Sequence, residues 1–194
     1  MLRSLKHNLV RLTDFDGRET RGQFWPWVGC VFALAFIGYG IVFGSMMKAT
    51  VSKMQRFATD HPDQATVVSS PGSYSISIEG SHPELMPQFG SLFPLVGGLI
   101  VVLVVLLAAA VSRRLHDRGR SALWGLSPLP FVAFAMVGMN VLFGQLGSGT
   151  EPDIRLFFAI FLNNMFYLAV LLALVIQLSG AGSPEVNRFG PPVR

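Results

Sequence analysis

Hydropathy divides the chain into four long apolar runs separated by polar segments. The runs occupy residues 24–47, 91–112, 122–145 and 154–178. Each is long enough to cross a hydrocarbon core of about 30 Å, which takes about 20 helical residues. The first lacks the polar face that a soluble helix keeps, and Leu99 to Val111 carries no polar side chain at all. Ahead of the first run, in residues 1–23, Leu2, Leu5, Leu9 and Leu12 recur three or four apart, with Arg3, Lys6, His7 and Arg11 mostly elsewhere on the helical wheel. That spacing predicts a short amphipathic helix lying in the membrane interface, ended near Asp14 or Asp16 and Gly17.

The polar segments have different characters. In residues 48–90 the first part continues the preceding helix beyond the bilayer. Ala65 to Ser70 and Tyr74 to Glu79 then alternate weakly around Pro71-Gly72, a turn signal between strand-forming residues. The pattern predicts a small hairpin, which has to rest on the bundle because a lone two-stranded ribbon is marginal. Residues 113–121 read as a short basic loop closed by Gly119, with Ser121 as a cap for the next helix. Pro128 and Pro130 kink the third span or delay its regular start. Residues 146–153 form a tight polar turn, and the Gly- and Pro-rich tail, 179–194, is expected to lack regular structure. The expected fold class is therefore a single all-α integral membrane domain over 1–194: four transmembrane helices, an N-terminal interfacial helix and a long outward loop holding a β-hairpin.

Composition strengthens this reading. Of 194 residues, 51% are hydrophobic and 13% charged, against about 25% charged in soluble domains. The only cysteine, Cys30, lies in an apolar run, so no internal disulfide is expected and the side chain reads as a small hydrophobe. Phe24, Trp25 and Trp27 suit a headgroup belt. Gly40 and Gly44 form a small-xxx-small pair for helix packing, and Asn140, Asn163 and Asn164 read as inward-facing interhelical hydrogen-bonders. The net charge of +4 sits between spans rather than along one face, so it marks topology and not nucleic acid. With four spans, eleven Lys and Arg fall on the side of the termini and four on the other. The positive-inside rule then predicts both termini in the cytoplasm.

The densest chemistry is Arg113 to Arg120, with four arginines, His116 and Asp117 in eight residues. Asp117 reads as an acceptor for nearby arginines, while Arg113, Arg114, Arg118 and Arg120 are expected to meet lipid phosphates at about 1 kcal/mol each. Neighbours on a helix point in different directions, so His116 and Asp117 make a poor catalytic pair. Arg18, Glu19 and Arg21 precede the first span on the same side. An ion network is expected between the clusters, for example Glu19 or Asp16 with Arg113 or Arg114. Nucleotide-binding loops, H-E-x-x-H and nucleophile elbows are absent from the sequence. The four histidines are scattered, no ionisable residue sits at mid-depth in a span, and no cofactor is expected.

Three stretches carry a resemblance. Gly17, Arg18, Arg21, Phe24 and Trp25 form the first. The second is Val111, Arg113, Arg114, Leu115, His116, Asp117, Gly119, Arg120, Ser121 and Trp124, and the third Asn187, Arg188, Phe189 and Gly190. In this order the chain resembles the DUF805 family of bacterial inner-membrane proteins. It departs in having Ala122 and Leu123 where members usually have Gly-Trp, and in its longer 48–90 segment. The resemblance implies an integral membrane protein of unknown function, with no catalytic residues to carry over.

Three function classes follow. The first is a non-enzymatic accessory or scaffold protein that binds anionic lipid or a membrane partner, or self-associates, through its charged face. The second is a small-solute transporter or channel-like protein, oligomeric, with a path past the three asparagines. The third is a lipid-headgroup enzyme using His116.

Overall fold

The computed structural model describes residues 1–80, 82–85, 87 and 89–192. In chain order it contains α1 (Leu2–Val10), α2 (Arg21–Asp60), β1 (Ala65–Ser70), β2 (Ser73–Ile78), a 3-10 turn (Pro83–Leu85), α3 (Phe89–Asp117), a second 3-10 turn (Ala122–Leu126), α4 (Leu129–Gly147) and α5 (Ile154–Ser179). Among the described residues four helical stretches are long and apolar enough to cross a membrane: Arg21–Asp60, Leu92–Asp117, Ala122–Gly147 and Ile154–Ser179.

The α2 helix starts on Thr20, where Gln23 reaches back to accept from the Thr20 N–H at 3.2 Å, as in a capping box. Its 40 residues extend about 60 Å at 1.5 Å per residue. It therefore runs well past the apolar stretch and projects beyond the bilayer. The hairpin pairs Ala65 with Ile78 through Ser70 with Ser73. Gly72 turns it at φ +86°, a left-handed conformation open to glycine. The ribbon rests on α2, where Gln55 Nε2 donates to Tyr74 Oη at 3.3 Å.

Two boundaries differ from the sequence expectation. The α3 helix runs on through Asp117, so Arg113 to Asp117 are helical and not loop. It closes with Gly119 N–H donating to the His116 carbonyl and Arg120 N–H to the Leu115 carbonyl, both at 2.9 Å. Gly119 takes φ +68°, completing a Schellman ending. The third span opens as a 3-10 turn in which Ser121 accepts from the Leu123 N–H, and regular helix begins only at Leu129, beside the two prolines.

The core gathers at the charged end of the bundle: Phe24, Trp27 and Val31 of α2, Ala110 and Leu115 of α3, and Leu174 and Leu178 of α5. Phe24 and Trp27 are thus buried and do not form a headgroup belt. Trp27 Nε1 donates to the Leu106 carbonyl at 3.0 Å, which satisfies the indole inside the bundle. Leu5 and Leu12 pack against this core, while Leu2 and Leu9 stay outside.

The small-residue expectation needs correction. A Cβ at Gly40 or Gly44 would meet nothing within 4 Å, so neither residue packs a helix within this chain. Close approach occurs at Gly138, where a Cβ would come within 2.9 Å of Ile160, and at Gly125, 2.7 Å from Val111. The asparagines also divide. Asn163 donates to the Phe131 carbonyl at 3.0 Å, linking α5 to α4. Asn140 and Asn164 lie on the outside of the bundle, contrary to the inward expectation. Helical periodicity explains the split, because Asn163 and Asn164 sit about 100° apart and cannot both face the same neighbour.

Candidate functional site: a buried ion network at the charged end

The C-terminal end of α3 places Arg113, Arg114 and Asp117 against the strand-like segment entering α2. Arg113, Arg114 and Glu19 are 0% exposed, and Arg18 and Asp117 nearly so. Glu19 is fixed at the backbone, where its N–H donates to the Arg113 carbonyl at 3.2 Å. Arg113 Nε donates to Glu19 Oε2 at 2.9 Å, and Nη2 forms an ion pair with the same oxygen at 2.9 Å. Three further Arg113 protons go to Asn8 Oδ1 at 2.6 Å, to the Arg11 carbonyl at 2.9 Å and to the Asp14 carbonyl. Four of the five guanidinium donors are then hydrogen-bonded. Asn8 completes the group by donating to Glu19 Oε1 at 2.9 Å.

Asp117 is the second anchor. Arg18 Nε donates to its Oδ1 at 2.9 Å, with Nη2 ion-paired to the same oxygen at 2.9 Å, and Arg114 Nη1 donates to its Oδ2. Arg114 also donates to the Leu178 carbonyl at 2.8 Å and to the Gly180 carbonyl. These carbonyls close the C-terminus of α5, where a cation also meets the negative end of the helix dipole. Three guanidiniums face two carboxylates, and backbone carbonyls together with Asn8 Oδ1 accept the bonds that the carboxylates do not.

The tail forms the lid of this network. As expected it has no regular helix or strand among its described residues, yet it is held at many points. Arg18 donates to the carbonyls of Ser183, Glu185 (2.9 Å) and Gly190 (3.3 Å). Ser183 N–H donates to the Asp117 carbonyl at 2.8 Å. Asn187 Nδ2 donates to the His116 carbonyl at 3.0 Å, and the Phe189 ring stacks on the His116 ring at 3.7 Å between centroids and 9° between planes. Gly182 allows the close pass, because a Cβ there would lie 2.1 Å from Asp117 Oδ2. That carboxylate is pinned by two arginines and has nowhere to move. Arg194, counted for topology above, lies outside the described residues.

The predicted site residues fall into two groups. Arg18, Glu19, Arg113, Arg114, His116 and Asp117 come together in the interior, and Arg113 and Arg114 therefore do not reach lipid phosphates. Arg21 and Arg120 stay exposed, and Arg118 is half-buried. Asp16, the other acid considered as a partner, is exposed, and Glu19 takes Arg113. Near the network, burial lowers the pKa of His7, and the hydrogen bond from Arg11 lowers that of Asp14. Both carboxylates are committed to arginines, and His116 stacks on Phe189 rather than pairing with Asp117, its Nδ1 buried without a hydrogen-bond partner among the described residues. Among the described residues no group of three His, Cys, Asp or Glu side chains is placed to hold a metal ion.

The same three stretches that carry the resemblance thus meet at one place in the fold. A family model described as "Protein of unknown function (DUF805)" matches residues 12–191. The chain belongs to the DUF805 family. Neither the curated proteins nor the solved structures give a match. Within this DUF805 chain, Arg18 of the first stretch holds Asp117 of the second and the Gly190 carbonyl of the third. The DUF805 motifs therefore describe one packed assembly rather than three separate surfaces.

Two members of the assembly escaped the sequence reading. Ser4 and Asn8 are buried on α1, and both reach the Gln23 carbonyl. Their signal is a polar pair four residues apart, which puts both on one helical face. The backbone carbonyls of the tail have no signal in residue type.

Proposed function

We propose that this protein is a non-enzymatic, multi-pass protein of the bacterial inner membrane that acts as an accessory or scaffold, with its charged end in the cytoplasm. A rim of arginines there meets anionic lipid headgroups. The observation that carries this reading is the contrast between a saturated interior and an unneutralised edge. Arg18, Arg113 and Arg114 are consumed inside, whereas Arg21, Arg118, Arg120 and Arg188 surround the network without a carboxylate partner among the described residues. Arg120 lies over the Trp124 ring at 5.8 Å, which suits an interfacial position. Juxtamembrane arginines gain about 1 kcal/mol each near an anionic surface.

Arg118, Arg120 and Arg188 changed together to glutamine test the rim. The expected result is normal abundance with loss of preference for anionic over zwitterionic phospholipid in the co-purified lipid. An unchanged preference would refute a lipid-binding rim. Orientation has its own measurement. In a Cys30→Ser background, an impermeant maleimide applied to intact cells is expected to label Ser73→Cys and not Arg120→Cys; the reverse pattern inverts the topology.

The other two readings have weaker support. A solute path past the asparagines is disfavoured because Asn140 and Asn164 lie outside and the Asn163 amide is held by Phe131. Of two open grooves along α2 and α3, one is lined by Phe36, Tyr39 and Leu99, and the other by Met46 and Leu95 with Ser45, Thr50 and Lys53; neither includes an asparagine. A headgroup enzyme needs an acid or nucleophile beside His116, and Asp117 is already bound to two arginines.

A further inference from the structure

The α5 helix carries a second apolar seam that its own chain leaves mostly exposed, with only Leu171 half-buried. Its inner face is Ile160, Leu174 and Leu178, all buried, with Asn163 tied to α4. Around the helix, Phe157, Phe161, Asn164, Leu168, Leu171 and Val175 alternate at spacings of four and three residues. This is a heptad seam. Phe157, Phe161, Leu168 and Val175 are 48%, 55%, 54% and 38% exposed, and Asn164 is exposed in the middle of them.

Asn164 follows the helix start by ten residues, about 15 Å along the axis and so near the middle of a hydrocarbon core of about 30 Å. Its side-chain amide has no hydrogen-bond partner among the described residues. Lipid tails offer neither donor nor acceptor, so an amide left there is unsatisfied. An asparagine at one heptad position sets register and partner number in helix pairs. The amide also complements itself, since it both donates and accepts. Two copies inserted in the same direction, related by a two-fold axis along the membrane normal, bring Asn164 to Asn164 with the Phe and Leu positions flanking it.

We propose that α5 is a homodimerisation face, with a second copy of this chain as its occupant and the reciprocal Asn164 amide pair as its lock. Asn140 is also exposed, but it lies on α4 away from this seam and serves as the internal control.

The test uses the full chain in native membranes with Cys30→Ser. Leu168→Cys lies on the seam, and Leu162→Cys, equally exposed, lies away from it. Oxidation is expected to give a covalent dimer from Leu168→Cys and little from Leu162→Cys. Adding Asn164→Leu lowers the Leu168→Cys dimer fraction about tenfold, Asn164→Gln restores most of it, and Asn140→Leu leaves it unchanged. Since Asn164 lies outside the bundle, monomer abundance stays constant through the series. Equal cross-linking at positions 162 and 168, or a dimer indifferent to Asn164→Leu, overturns the proposal. The seam-specific contrast stands apart from the Asn164 variants, so it decides the matter even if one of them is poorly inserted.

Discussion

Replacing Glu19 with alanine is expected to remove most of the folded protein from the membrane. Arg113 has no route to water, and Glu19 is its only carboxylate partner among the described residues. Removing one partner of a buried pair typically destabilises by about 3–5 kcal/mol, because a charge is left uncompensated. Asn8 would lose an acceptor in the same step. The measurement is membrane abundance together with the thermal unfolding midpoint in detergent. Glu19→Gln preserves shape and one acceptor but not charge, and it should fall between wild type and alanine. Exchanging the charges, Glu19→Arg with Arg113→Glu, should exceed either single change in abundance. Wild-type stability in Glu19→Ala would mean that water reaches Arg113, contrary to its burial.

Asp117→Ala is expected to be comparably severe and to have a distinct signature. It strips the counter-charge from two guanidiniums at once, Arg18 and Arg114. Arg18 is also what grips the tail, through the Ser183, Glu185 and Gly190 carbonyls. The tail should therefore loosen before the bundle does, and trypsin should cut after Arg188 faster in this variant than in wild type. Phe189→Ala, which removes only the ring on His116, should speed cleavage less. Equal cleavage in Asp117→Ala and wild type would mean that the tail is held independently of the Arg18–Asp117 pair.

The membrane spans were legible because they depend on a one-dimensional property, the length of an apolar run. The hairpin was legible for a similar reason, since Pro71-Gly72 punctuates two strand-forming stretches. The destination of the arginines was not. A row of arginines at a helix end has the same sequence whether it faces phosphates or folds inward. The choice is made by Asn8, by Glu19 and above all by main-chain carbonyls from residues 178–190, which any residue type supplies. The glycines show the same limit. Gly40 and Gly44 have the right spacing but face outward, while Gly138 lies where Ile160 crosses, and no local pattern says which face meets a neighbour.

The position of the tail over the arginines also has a consequence for the order of synthesis. Arg18 is made before the four spans, and three of its acceptors, at Ser183, Glu185 and Gly190, are made after them. All four spans precede those acceptors in the chain. The early helices thus enter the bilayer with a guanidinium whose partners do not yet exist. Completion of the charged end waits on residues 183–190, which act as the fastener for a structure begun before the first span.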